Sequence, residues 1–593
     1  MYVRRTQRKR ANGSIVGYVQ LAHNRRVGTQ TTAEVLLNLG REDALDVAGL
    51  RRLAGSITRY LDGDGADPAA TGDTAAGLRV VSSRSYGAVW LLDALWTRFG
   101  VAGALSSTIG ARRFTTDLER VLFALVCNRA IAPASKLRAA EWATLDTAIP
   151  GLAAMDDDQA YRAMDVLVEA DTDGAVQEAV FFAAADLLNL EVDLLFFDTT
   201  STYFERDEPD AAPEPSASAS SDGAAAGDEA AGAAAPFRTY GHSKDHRSDL
   251  PQVVIGLAVT REGIPVRVWC WPGNTSDMSV IGEVKDDLRG WRLGRVITVV
   301  DRGFSSDKNL TYLTRAGGHW IAGERMRDGA ADAAEALSRP GRYQTVRDNL
   351  RVKDVRVGEG DAAKRFVVCL NPAEAERQSA LRTATIERLE AELARLAEER
   401  TKLAVQAAKK TPAGARASAR LTEAHTRSEC ALRDHPSLRR YLRQTSSGRL
   451  SIDRAKIAAE QRLDGKYLLS TSDPTLSAED VALGYKNLLE AERGFRDLKS
   501  VLELRPVYHR LEQRIRAHVT LCWLALLLIR VAERQTSQTW PQLARELNRV
   551  HLVTLQGDAG SVSQTTALND RQRTIYSACN VAPPPAISEL TPA

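Results

Sequence analysis
The chain is 593 residues long and 44% hydrophobic, enough for several cores and, at about 150 residues per domain, for three or four domains. Its 78 Lys and Arg against 76 Asp and Glu leave a net charge of +2, which by itself announces no nucleic-acid binder. Six scattered cysteines, with no C-x-x-C pair, speak against a disulfide framework or a zinc module and fit a reducing compartment.

In chain order, the N-terminus M-Y-V-R-R-T-Q-R-K-R is basic but lacks the apolar stretch of a secretory signal. Two strands are predicted next, S-I-V-G-Y-V-Q-L-A-H and A-E-V-L-L-N-L-G, then a helix over 48–60. Residues 1–75 thus form an α+β segment, ending in the linker L-D-G-D-G-A-D-P-A-A-T-G-D. Residues 76–190 read as helical, over 86–99, 118–131, 135–144 and 158–190, with Ser135 and Asp158 placed to cap. This region is either a DNA-binding module or a packing bundle. The basic clusters at Arg4 to Arg10, at Arg25 and Arg26, and along 402–443 are either phosphate contacts or solvated faces.

An α/β core opens at residue 191 and its first part runs to 329. Within it, 207–236 is dominated by Ala, Ser, Pro, Gly and acids, and is predicted to be a disordered insertion. Strands over 252–260 and 264–271, joined by R-E-G-I-P, form an antiparallel hairpin, with Trp269 and Trp271 on one face as core. His242 and His246 lie among Ser and Asp in a loop rather than on a metal-binding helix, and Asp277 reads as a turn or cap residue. A helix over 280–288, a strand over 296–300, a helix over 307–315 and the strand H-W-I-A-G-E-R-M follow. Residues 330–475 are more than one connection needs and read as an inserted subdomain. Strands over 343–357, 365–370 and 465–470 flank a heptad-like run, Ile386, Leu389, Leu393, Leu396 and Leu403, broken at T-P-A-G into a helical hairpin. The core resumes over 476–534 with an apolar helix over 515–532. Its longest apolar run, 519–529, is shorter than the about 20 residues that cross a bilayer. The tail, 535–593, has one helical stretch and a Pro-rich end, and suggests no function.

Three acids carry the chemistry. The run L-L-F-F leads into Asp198, and V-I-T-V-V into Asp301. Such runs read as central strands covered on both faces, and an acid at the C-terminal end of such a strand emerges where open sheets bind ligands. The third is Glu492. At about 100° per residue on one helix, Tyr485, Leu488, Glu492, Arg496 and Lys499 fall within roughly 60° of one another. Glu492 and Arg496 alone are a common i,i+4 solvent pair. Two strand-end acids and a helical Glu make a divalent-cation site, since hard Mg²⁺ wants carboxylate oxygens. Paired ions about 4 Å apart can activate a nucleophile and stabilise a leaving oxygen in phosphodiester chemistry.

These residues resemble the DDE transposases of bacterial insertion sequences, and more narrowly the branch whose last acidic motif is Y-x-x-R-x-x-x-E-x-x-x-x-x-x-K. Tyr485, Glu492 and Lys499 stand at that spacing, with Leu488 in place of the Arg. The resemblance takes in D-T-T-S-T-Y-F from Asp198, G-H-S-K-D-H-R-S-D-L from Gly241, D-R-G-F from Asp301 and R-P-V-Y-H from Arg505, over roughly residues 190 to 530. It implies an α/β protein with a ribonuclease H-like mixed-sheet core, an inserted subdomain and a largely helical N-terminal region. Asp198, Asp301 and Glu492 would be the catalytic residues and the ligands of two Mg²⁺ or Mn²⁺ ions. DNA contacts would come from Tyr485, Lys499, Lys244, Arg247 and Arg302, with Arg496 supplying the cation missing at 488. The implied activity is cut-and-paste transposition: cleavage at the element's terminal inverted repeats, then strand transfer into target DNA. It further implies a homodimer on DNA, in the bacterial cytoplasm and on the nucleoid when bound, with no membrane. Two other readings share these residues: a structure-selective nuclease without strand transfer, and a DNA-binding protein with a dead core.

Overall fold
The structure is a computed structural model. It describes residues 2–9, 15–27, 30–42, 45, 47, 49–51, 54–55, 78–109, 117–190, 192–206, 208–211, 236–291, 293, 296–327, 330–360, 363–408 and 412–592. The linker after residue 60, most of the helix expected over 48–60 and nearly all of the low-complexity stretch 207–236 lie outside the described residues. The chain divides into two compact units, one of residues 1–294 with 489–593, the other of residues 295–488.

The first unit opens with an antiparallel sheet of β1 (Tyr2–Lys9), β2 (Ile15–Val27) and β3 (Gln30–Arg41), in that order. The basic N-terminal stretch is therefore itself a strand. β4 (Arg79–Ser85) precedes a set of helices, Gly87–Arg98, Val101–Ile109, Leu118–Ile131, Lys136–Glu141, Asp157–Ala170 and Ala175–Leu188. The continuous helix expected over 158–190 is two. They part at Thr172–Gly174, where Asp173 (φ 59°) and Gly174 (φ 77°) turn left-handed. Asp156, not Asp158, caps the first of them, accepting from the Gln159 N–H at 2.7 Å while the Gln159 side chain reaches back. β5 (Leu194–Tyr203), β6 (Gln252–Thr260) and β7 (Pro265–Pro272) then form an antiparallel meander, with β6 buried along its whole length. Trp269 and Trp271 stack in its core, each donating its indole N–H to an acid of the next helix, Ile281–Gly290.

The second unit holds β8 (Ile297–Val300), β9 (His319–Glu324), β10 (Gln344–Arg347), β11 (Leu350–Val357), β12 (Lys364–Leu370), the short pair β13 (Leu442–Gln444) and β14 (Leu450–Ile452), and β15 (Lys466–Thr471). Its main sheet runs β10-β11-β12-β15-β9-β8. The β8 and β9 pair is parallel and the others are antiparallel, so the sheet is mixed. Of the strands of 330–475, β10, β11, β12 and β15 thus extend the sheet begun by β8 and β9, while β13 and β14 pair only with each other. Between β12 and β13 the helices Pro372–Ala407 and Pro412–Arg433 pack on each other, with an Arg400 to Glu429 ion pair at 3.0 Å between them.

The chain returns to the first unit through the helices Leu489–Ser500, Glu512–Thr536 and Trp540–Leu547. Last come β16 (His551–Gly557), β17 (Gly560–Thr565), the helix Asp570–Ala578 and β18 (Ile587–Pro592), giving a four-stranded sheet, β18-β17-β16-β4. Among the described residues Glu512–Thr536 is the one helix long and apolar enough to cross a bilayer, but 94% of its apolar window is buried in the fold, which makes it a core helix. It packs against Leu118–Ile131, Asp157–Ala170, β7 and Leu489–Ser500.

Charged side chains also sit inside that packing. Arg530, 3% exposed, pairs with Asp497 and Glu533, both at 2.7 Å, and so ties the core helix to Leu489–Ser500. Arg530→Met keeps the volume but takes the cation from Asp497 and leaves Glu533 with Arg493 alone, a change that costs roughly 3–5 kcal/mol when such a pair is buried. The expected outcome is a clearly lower thermal midpoint by circular dichroism, and an unchanged midpoint would contradict the assigned role.

Candidate active site
Asp198 stands in the middle of β5, not at its end as the apolar run suggested. The β-branched T-T-S-T that follows keeps pairing with β6, from Leu195 opposite Thr260 to Tyr203 opposite Gln252. The Asp198 side chain is 23% exposed and accepts from the Thr199 N–H at 2.7 Å. Beside it lies Lys244. Its ammonium donates to the Thr199 hydroxyl (2.6 Å) and carbonyl (2.8 Å), lies 3.0 Å from Asp277 and is 4.0 Å from Asp198. Thr199 in turn donates its hydroxyl to Asp277 at 2.5 Å. Asp277, which read as a turn or cap residue near the proposed site, is therefore a member of this cluster. No sequence signal ties 277 to 199.

Glu492 is carried by the helix Leu489–Ser500, which packs on β5 and β6 through Ala491, Gly494, Phe495 and Leu498. The approach is close. A Cβ on Gly494 would lie 2.7 Å from a Leu257 methyl, which is why the position has no side chain. Glu492 and Arg496 are exposed on the outer face, and among the described residues the i,i+4 ion pair their spacing allows is not formed. Lys499 is different. It donates to Asp245 at 2.8 Å, and Arg505 pairs with the other oxygen of the same carboxylate at 2.8 Å. Burial pulls the Lys499 pKa down, against the upward pull of Asp245. Arg247 pairs with Asp249 at 2.9 Å, and both Arg247 and Arg505 lie over the Tyr203 ring, at 5.1 and 5.2 Å. Sequence reasoning assigned no role to Asp245 or Tyr203.

In the second unit Asp301 directly follows β8, at the strand end as expected, and accepts the Tyr485 hydroxyl at 2.8 Å. The Tyr485 ring stacks on Tyr467, with centroids 6.3 Å apart. Asp301, Arg302, Glu324, Arg325, Tyr467 and Tyr485 are among the residues lining a pocket of about 590 Å³. Burial raises the Glu324 pKa. The single helical face read from the spacing of Tyr485 and Lys499 is not formed. Tyr485 belongs to Ala478–Lys486, which ends at Asn487; buried Leu488 follows, and Glu492, Arg496 and Lys499 lie on the next helix.

The donor chemistry suits a hard divalent ion, since all three acids are carboxylates and Glu492 is exposed. A closed cage is another matter. Among the described residues no three His, Cys, Asp or Glu side chains gather into one, and the cation nearest Asp198 is Lys244.

The sequence pattern of the transposase DDE domain matches residues 227–529, more than half of the chain, which therefore belongs to the DDE-domain transposases. A second pattern, the N-terminal domain of IS1634 family transposases, matches residues 3–69. The DDE match takes in Asp301 and Glu492 and begins after Asp198. No curated protein matches the chain. A solved structure, the piggyBac transposase synaptic complex with hairpin DNA, is 11% identical over 78% of this chain and 79% of that one. Its TM-score of 0.33 is too low to bear on fold or function.

The Asp245 network yields a test. Asp245→Ala leaves Lys499 and Arg505 without their shared acid, and Lys499→Met leaves Asp245 with Arg505 alone. In a double-mutant cycle the two changes are expected to couple by about 0.5–3 kcal/mol in unfolding free energy. Additivity within error would mean that the ion pair does not hold this corner.

Proposed function
We propose that the chain is the transposase of an insertion sequence, cutting DNA at the element's ends and joining the freed 3′-hydroxyls to target DNA on a ribonuclease H-like core. The observation that carries this reading is the DDE-domain match over 227–529, which spans Asp301, Glu492 and the Lys244 and Lys499 networks. The order of elements agrees with such a core: three antiparallel strands, a helix, the strand ending at Asp301, a helix, and a strand parallel to it. Asp198, Asp301 and Glu492 would hold two Mg²⁺ or Mn²⁺ ions, which when bound supply Lewis acidity at the phosphodiester and an activated nucleophile.

The remaining roles belong to the chain's own side chains. Tyr485 fixes the orientation of the Asp301 carboxylate through its hydroxyl. Asp277 and Thr199 hold the Lys244 ammonium beside Asp198, offsetting carboxylate charge and keeping a cation next to where a phosphate would lie. Arg496, Lys499, Arg247 and Arg302 serve the DNA backbone, Lys499 by exchanging Asp245 for phosphate oxygens. Tyr485 offers a ring on which an extruded base can stack. The bound form is a dimer bringing two ends together, each end recognised at its terminal inverted repeat.

The test uses the full-length protein with a pre-cut terminal-repeat duplex, a target duplex and Mg²⁺. Wild type is expected to give joined strands. Asp198→Asn, Asp301→Asn and Glu492→Gln should each lower joining by about a hundredfold or more while leaving the gel shift of the terminal repeat in place. Cleavage without joining would favour the nuclease. Binding with neither reaction in wild type would favour the DNA-binding protein with a dead core.

A further inference from the structure
Away from the three acids, the first unit buries two cations that share no acid. Arg129, at the end of Leu118–Ile131, is 4% exposed, and Lys136, at the start of Lys136–Glu141, is 3% exposed. Arg129 donates to the carbonyls of Glu503 (3.2 Å) and Ala134, which leaves its buried Nε without a partner. Lys136 feels Arg129 and the Cys522 thiol but no carboxylate, and among the described residues neither cation enters an ion pair.

The neighbours do not repair the imbalance. On the core helix, His518 shares one ring nitrogen with the Leu504 carbonyl at 3.0 Å, and its buried Nδ1 has no partner. The His509 ring lies 5.5 Å from that of His518. The acids in the vicinity are Glu503, which is exposed, and Asp165, which is bound to Arg514 by two bonds of 3.0 Å. Burial, together with Arg129, drives the Lys136 pKa down to about 7, and burial with Lys136, Arg514 and Arg129 drives that of His509 down to about 3. Buried charges in proteins are paired or hydrogen-bonded because an isolated one is costly to desolvate. Two buried cations without a carboxylate, one of them with an Nε–H that has no acceptor, are what remains when an oxyanion is taken away.

Above them runs the segment 503–511, without helix or strand, in which Tyr508 is 71% and Leu511 56% exposed. We propose that Arg129 and Lys136, beneath this segment, form a binding site for a phosphate group, and that the phosphate belongs to the DNA backbone. The second half rests on the DNA-acting reading above; the site itself does not. A phosphate there would accept from the Arg129 Nε and the Lys136 ammonium, supplying the negative charge that the fold omits. It would lie on the side of the protein formed by Leu118–Ile131, Lys136–Glu141 and the core helix, and would add a backbone contact that owes nothing to the three acids.

The experiment has two arms, both on the full chain. In the first, thermal midpoints are compared in inorganic phosphate and in chloride at equal ionic strength. Wild type is expected to gain about 2 °C or more from phosphate, and Lys136→Met to gain nothing. That variant removes a buried charge without opening a hole and should fold, and Lys136→Arg should keep the gain. In the second arm, duplex DNA affinity is followed against salt. Loss of one phosphate contact in Lys136→Met should make the logarithmic slope shallower by about 0.9. Both changes together support the proposal. A lost phosphate shift with an unchanged slope supports the site but assigns it to free phosphate, overturning the DNA half. A phosphate shift that survives in Lys136→Met, or one absent from wild type, overturns the site. Because the first arm contains no DNA, a failed joining assay would leave its result standing.

Discussion

The first unit is built around the enclosure of one helix. Glu512–Thr536 is apolar on every side from Ile515 onward, and such a helix is stable only when neighbours remove it from water all round. The N-terminal helices cover it from one direction and β7 and the Glu492 helix from others. Among its buried polar residues, Arg530 gives the packing a register, because its partner Asp497 lies on the Glu492 helix. With that helix fixed on the core by Asp497 and on β6 by the bare backbone at Gly494, its outer face can carry only what the sequence puts at 492 and 496.

The charged groups around the acids share a habit. Lys244 rests against Asp277 and Thr199, Lys499 and Arg505 against Asp245, Arg247 against Asp249. In a chain with 78 basic and 76 acidic residues, these four cations are each held by a carboxylate. On the proposed DNA-acting reading, a duplex has to offer these cations better geometry than a carboxylate already in hand, which raises discrimination at the expense of raw affinity.

Much of this was legible in the sequence. The short apolar runs before Asp198 and Asp301 are buried strands, as their length and aromatic or β-branched content suggested, and the heptad-like residues of 386–403 do lie in one arm of a helical hairpin. What stayed hidden was of two kinds. Local chemistry misled where a second signal intervened: β1 looked like a basic tail because its side chains are solvated, and the helix over 158–190 ran past the Asp173 and Gly174 turn. Non-local contacts left no trace at all. Asp277 against Thr199, Asp245 against Lys499 and the pairing of β4 with β16 join residues that only the folded chain brings together.

That last pairing governs the order in which the protein can be made. β4 begins at Arg79 and β16 at His551, so the sheet they share stays open until the whole of the second unit has been synthesised. The rod that shelters the early helices emerges almost as late. At about 5–20 residues per second the early helices wait on the order of half a minute or more for their covering. The first unit is therefore closed by residues made after the second unit, and its early helices stay uncovered for as long as the second takes to be synthesised.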